Sequence, residues 1–199
     1  MIPSIIGFLA MLNPFALFLY LQPIMKELDD KTFRKVLFKA SLISFLIYAF
    51  FLLSGEFIFK EVLQIHFESF RIFGGIIIFS FAYVFIMKGQ KALIHMKGDL
   101  DDLASEIALP FMVGAGTISL SILLGRNFSM LVSIFLLILI MGINFIFVML
   151  LKNFREQIEK KKFRIAFDKN MEILLRLNGF FVGAIGVNMV ITGLNNVFF

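Results

Sequence analysis

The stretch Leu9-Ala10-Met11-Leu12-Asn13-Pro14-Phe15-Ala16-Leu17 places an Asn-Pro step in the middle of a predominantly apolar run from Ile2 to Met25. Proline has no N–H and its ring clashes with the preceding turn, so a helix through this run must break. At bilayer depth such a break persists only where protein or a cavity satisfies the freed backbone groups. A second apolar run, Ile107–Leu124, carries Pro110 and then Gly114-Ala115-Gly116-Thr117, and is expected to break as well. Two interrupted segments in corresponding halves of a chain are the sequence mark of a transporter site near the membrane midplane.

Composition supports the membrane assignment independently. Of 199 residues 60% are hydrophobic, and the mean hydropathy is +0.94, well above ordinary globular domains. Apolar runs near the length of a bilayer span predict six transmembrane helices, at about 2–25, 36–58, 72–90, 107–124, 129–151 and 173–197. They leave little room for a separate soluble domain, so residues 1–199 read as one integral membrane domain. The first run lacks the basic flank and small-residue cleavage site of a signal peptide and is taken as a true span. There is no cysteine, which excludes disulfides and thiolate chemistry.

The formal net charge of +5 is distributed by side. Loops after spans 1, 3 and 5 carry Lys26, Lys31, Arg34, Lys35, Lys39, Lys88, Lys91, Lys97, Lys152, Arg155, Lys160, Lys161, Lys162, Arg164 and Lys169, fifteen in all. The opposite side has three, Lys60, Arg71 and Arg126. The bias predicts that the fifteen face the cytoplasm and that both termini lie outside. Little basic charge is left for nucleic acid, although Lys160-Lys161-Lys162 can touch anionic lipid headgroups.

An internal repeat is legible. Span 3 opens Arg71-Ile72-Phe73-Gly74-Gly75 and span 6 opens Arg176-Leu177-Asn178-Gly179-Phe180, while a Pro-Phe step recurs as Pro14-Phe15 and Pro110-Phe111. Three spans per half require halves of opposite orientation, here about 1–90 and 105–199. The expected fold is therefore an all-α membrane protein of two inverted three-helix repeats, with helices 1 and 4 broken near the midplane. The register is open between pairing Pro14 with Pro110 and pairing Asn13-Pro14 with Gly114-Ala115.

These residues carry a family resemblance. Asn13-Pro14, Phe70-Arg71-Ile72-Phe73-Gly74-Gly75, Ala108-Leu109-Pro110 with Gly114-Ala115-Gly116-Thr117-Ile118, and Arg176-Leu177-Asn178-Gly179 with Gly186-Val187 and Gly193 occur in the order found in the MarC family. That group also contains the SnatA-type small neutral amino acid transporters, and the chain resembles it along nearly its whole length. It departs where the family usually shows Gly-Pro-Gly, having Gly114-Ala115-Gly116, and it lacks the second proline that often follows the family's Asn-Pro. The resemblance implies a secondary transporter of small neutral amino acids such as glycine and alanine in the cytoplasmic membrane.

The expected substrate residues are Asn13, Pro14, Phe15, Pro110, Gly114, Ala115, Gly116 and Thr117. Unwound N–H groups at a half-helix start suit a carboxylate and carbonyls at a half-helix end suit an ammonium, as a zwitterion requires. Asn13 can equally act as a helix cap, and the glycines as close packing. Glu56, the most deeply placed acidic residue, is a proton-coupling candidate against a solvated interfacial alternative. Asn144, Asn178 and Asn188 read as amide contacts between helices, His66 and His95 as isolated loop residues, and Asp99-Leu100-Asp101-Asp102 as a solvated acidic turn.

Coupling to protons or sodium is left open, as are export instead of uptake, a different small solute, a homo-oligomer, and a non-transporting scaffold or regulatory protein. No metal or cofactor is expected. Without Cys, a membrane-embedded His, a His-Glu-x-x-His motif or a phosphate-binding loop, neither an intramembrane enzyme nor direct ATP drive is expected.

Overall fold

The computed structural model describes residues 2–88, 100–158 and 161–198, and among them every regular element is helical. In chain order these are α1 Ile2–Leu12, α2 Pro14–Tyr20, α3 Gln22–Glu27, α4 Asp30–Ser54, a π-type turn Ile58–Val62, and α5 Phe67–Lys88. They are followed by α6 Leu100–Glu106, a second π-type turn Ile107–Met112, α7 Ala115–Asn127, α8 Met130–Gln157 and α9 Lys161–Phe198.

Among the described residues five stretches are long and apolar enough to cross a membrane: Ile2–Tyr20, Asp30–Ser54, Phe67–Lys88, Met130–Gln157 and Lys162–Phe198. The expected fourth span, 107–124, is not one continuous helix but a π-type turn, a break at Val113-Gly114, and α7. The other boundaries are set by caps. Helix α4 begins six residues before the apolar run because the Asp29 carboxylate accepts the N–H groups of Lys31 and Thr32. It ends at Gly55, whose φ of 57° is favourable only without a Cβ and whose N–H returns to the Phe51 carbonyl.

Outward faces are apolar in the manner of a lipid-facing surface. Phe38, Leu46, Phe50, Phe73, Phe135 and Phe180 are all more than half exposed. Inward, α4 and α8 bury the same pattern. On α4 the buried positions include Phe33, Val36, Leu37, Ala40, Ser41, Ser44 and Tyr48. On α8 they include Ser133, Leu136, Leu137, Ile140, Met141, Asn144 and Val148, each 100 positions later (133 − 33 and so on). Helix α4 packs against α6, the second π-type turn and α7, while α8 packs against α1 and α2.

Helices α5 and α9 run antiparallel along a glycine seam. A Cβ on Gly75 would lie 2.5 Å from the Gly186 carbonyl oxygen, and one on Gly186 would lie 2.7 Å from that of Gly75. Further along, Gly179 meets Ile86 and Gly193 meets Ile72. Without Cβ atoms the two backbones approach closely, which is how helices associate where hydrophobic exclusion gives no drive.

Charged contacts mark the two ends of the bundle. At one end Lys152, itself buried, pairs with Asp30 and Glu156 and lies over the Phe33 ring. There Arg155 also grips Asp168 through two bonds of 2.7 and 2.8 Å, and the Gln22 amide reaches the same carboxylate at 3.3 Å. At the other end Glu56 joins Lys60 and Arg126, while Glu68 joins Arg71 and the Asn196 amide.

Candidate functional site

At the first break Asn13 adopts φ 49°, ψ 69°, the left-handed region that asparagine tolerates better than most residues. Its Oδ1 accepts the Ala16 N–H at 3.1 Å, so Asn13 caps α2 while Pro14 occupies the first helical position, where no N–H is missed. Across the break the Asn13 N–H still reaches the Leu9 carbonyl at 2.9 Å.

The second break is built differently. Pro110 is absorbed within the π-type turn, where the preceding Leu109 is extended at φ −120°, ψ 118°, as a residue before proline prefers. The chain opens at Val113-Gly114, both extended, and α7 then starts. Thr117 closes the new terminus, its hydroxyl accepting the Gly114 N–H at 2.9 Å. The same hydroxyl lies 2.9 Å from the Gly114 carbonyl and 3.3 Å from that of Met112, one of which takes its proton. The Met112 carbonyl is also held by the Tyr48 hydroxyl at 2.5 Å.

The two breaks meet. A cavity of about 370 Å³ is lined by Met11, Leu12, Asn13, Ala16 and Tyr20 from the first segment and by residues 112–117 from the other. Its remaining wall is Ile77, Ile78, Phe81 and Val84 of α5, with Val182 of α9. That volume lies at the small end of ligand pockets, roughly 300–1,000 Å³. The lining is mainly apolar, with polar groups concentrated at the breaks.

The cavity has a direction. From the breaks it extends past Tyr20 on the first segment and past Phe81 and Val84 on α5. This is the end where Tyr20 packs in one cluster with Met171 and Leu175, and where Gln22 meets Asp168. Within the lining Gly116 is tightly packed: a Cβ there would fall 2.0 Å from Met11 Cε and 2.5 Å from Ile78 Cδ1, with Met189 Sδ at 3.5 Å.

Of the residues expected from sequence, Asn13, Gly114, Ala115, Gly116 and Thr117 line this cavity. Pro14 is at the break but outside the lining, and Phe15 turns to α8, meeting the Phe147 ring edge-on at 4.9 Å. The side chains of Pro110 and Phe111, and residues His95 and Asp99, fall outside the described ones. Within the turn, Gly116 is packed against side chains whereas Gly114 faces open space, nothing lying within 4 Å of where its Cβ would stand.

Glu56 is not part of the cavity lining and is held in ion pairs, 2.9 Å from Lys60 Nζ and 2.5 Å from Arg126. The Lys60 hydrogen bond, aided by the Arg126 charge and opposed by slight burial, holds its carboxyl below the usual carboxylate range. A proton carrier needs the opposite shift, so this geometry favours a standing ion pair. Sequence reasoning missed Tyr48 and the α5 wall. Tyr48 had one signal: among 28 phenylalanines and three tyrosines, it is a hydroxyl one helical turn after Ser44 on a single face.

Comparison with known proteins gives one family. The model of the MarC family, described as integral membrane proteins, matches residues 1–198. A UPF0056 membrane protein of Aquifex aeolicus is 26% identical over 98% of this chain and 92% of its own length. A second UPF0056 membrane protein, from Pyrococcus horikoshii, is 23% identical over 95% of this chain and 90% of its own. No solved structure matches.

Proposed function

We infer that this chain, which belongs to the MarC family of integral membrane proteins, is a secondary transporter of a small neutral solute, and that a small amino acid such as glycine or alanine suits its site best. One observation carries this reading: the broken segments of the two halves share a single cavity, with Asn13 on one side and Gly114–Thr117 on the other. The half-helices offer an N-terminal dipole and freed carbonyls to the two ends of a zwitterion. The apolar wall from Met11, Ile77, Ile78 and Val182 leaves room for a small side chain.

Alternating access follows from an inverted repeat, residues about 1–90 over 105–199. Its support is the recurrence of burial 100 positions apart on α4 and α8, and the antiparallel α5–α9 pair. That spacing sets Pro14 beside Gly114, close to the second of the two registers open in the sequence. With the fifteen-residue basic side in the cytoplasm and both termini outside, the cavity opens inward. In that orientation the Glu56–Arg126 ion pair lies on the outer side, and the tight packing of Met11, Ile78 and Met189 around Gly116 supports a site narrowed within the bundle.

The test is uptake and counterflow of labelled glycine and alanine in proteoliposomes of the purified chain, with and without pH and sodium gradients. Saturable counterflow of either is expected. Absence of flux for both, with protein shown to be folded, would overturn the amino acid assignment and leave another small solute or a scaffold.

A further inference from the structure

Asn144 stands in the middle of α8 with no exposed surface, and neither its amide oxygen nor its amide nitrogen has a hydrogen-bond partner among the described residues. An unpaired amide is costly to bury, and more so at bilayer depth. Its helix packs against both segments of the first break, α1 and α2, and Phe147, three residues on, meets Phe15 just past that break.

That break takes from its carbonyls the donors a continuous helix would give them. Pro14 has no N–H to give the Ala10 carbonyl, and the Ala16 N–H, which in a continuous helix would serve Leu12, goes to Asn13 Oδ1. These carbonyls also form the negative end of the α1 dipole. The other break differs in this respect. There α4 supplies a donor, the Tyr48 hydroxyl, to the Met112 carbonyl, and Ser44 Oγ approaches Met112 Sδ at 3.5 Å. The positions of α8 that correspond to Ser44 and Tyr48 are Asn144 and Val148, and valine has no proton to donate.

We propose that the C-terminal carbonyls of α1 and the Asn144 amide oxygen form a sodium site behind the substrate cavity. Carbonyl and amide oxygens are hard ligands, and with no carboxylate among them they suit a monovalent cation better than calcium or magnesium. An ion there would hold α1 at a fixed angle to α2, and Leu12 and Asn13 beside it already line the cavity. The proposal deepens the transporter reading by naming its coupling ion, but its test needs no transport.

The experiment is thermal unfolding of the purified full-length chain, without substrate, in rising sodium chloride with ionic strength held constant by choline chloride. Sodium should raise the midpoint saturably, and potassium should do so less. Asn144→Leu, which removes the amide at similar volume, should flatten the response. Asn144→Ser, a gentler change, should shift the half-saturating sodium concentration upward by roughly tenfold, the order expected for losing one bond to a charged group. A parent midpoint indifferent to the identity of the cation, or an unchanged sodium response in a folded Asn144 variant, overturns the site. Sodium binding without amino acid flux would keep the site and remove the amino acid assignment; flux without sodium binding would do the reverse.

Discussion

The hydroxyl of Tyr48 donates to the carbonyl of Met112 at 2.5 Å, joining residues 64 positions apart at the point where the second apolar segment opens. Both residues are buried. The bond therefore supplies from α4 a donor in place of the backbone N–H that the interrupted helix no longer offers.

Tyr48→Phe keeps the ring, including its edge-on contact with Phe8 at 5.2 Å, and removes only the donor. A buried carbonyl left unpaired costs about 1–3 kcal/mol, lessened where Thr117 turns its proton to Met112. Thermal unfolding of Tyr48→Phe, Thr117→Val and the double variant measures the coupling, and a loss in the double exceeding the sum of the singles is expected.

Gly114 and Gly116 separate a site effect from a packing effect. Gly114 is extended at φ −139°, a conformation open to any residue, and its Cβ would enter the cavity. Gly114→Val should abolish binding and flux while the unfolding midpoint stays near that of the parent. Gly116→Val instead drives its side chain into Met11 and Ile78, and should lose about 1–3 kcal/mol of stability, the usual range for overpacking.

Asn13→Ala removes the cap and places a residue with a Cβ in the left-handed region, for a combined loss of about 1–3 kcal/mol. Asn13→Gly should recover most of that stability, because glycine accepts the backbone conformation without penalty. Weakened substrate binding in both variants, set against the recovered stability of the glycine one, would assign the Asn13 amide to the ligand.

Glu56 has a folded pKa below its ordinary value, so its pairing contributes stability above the unfolded pKa and loses it as pH falls through the folded one. Lys60 and Arg126 are largely exposed, so the contribution is at most about 1 kcal/mol. Unfolding midpoints of Glu56→Gln and the parent should differ slightly at neutral pH and converge below the carboxylate range.

Orientation is checked by single cysteines in a chain that has none of its own. An impermeant reagent applied to intact cells should label a cysteine at position 64, in the segment after α4, and spare one at position 160.

Much of the site was legible because proline chemistry is local. Pro14 announces its break wherever it stands in an apolar run, and Asn13 beside it announces the cap. Pro110 misleads for the same reason: its missing N–H is accommodated by the extended Leu109 and a widened turn, and the chain opens instead at Val113-Gly114. The fourth apolar run, 107–124, was expected to break, and it is interrupted at Val113-Gly114, so it is not among the long apolar helices of the described residues. Ile77, Ile78 and Phe81 were not legible as a wall, because nothing in an all-apolar helix says which face meets a partner from another part of the chain. Asn144 was read as an amide contact between helices, yet its amide atoms have no partner among the described residues.

The seam of Gly75 against Gly186 has a mechanical consequence. Two backbones in such contact cannot slide past each other without lifting apart, so α5 and α9 behave as one strut. Any rearrangement under the proposed transport cycle would pivot on that strut, with its natural fulcrum at Gly74, where a Cβ would lie 2.2 Å from that of Ala115 at the start of α7. A bulky residue at position 74 would jam the pivot, and one at position 75 would split the strut.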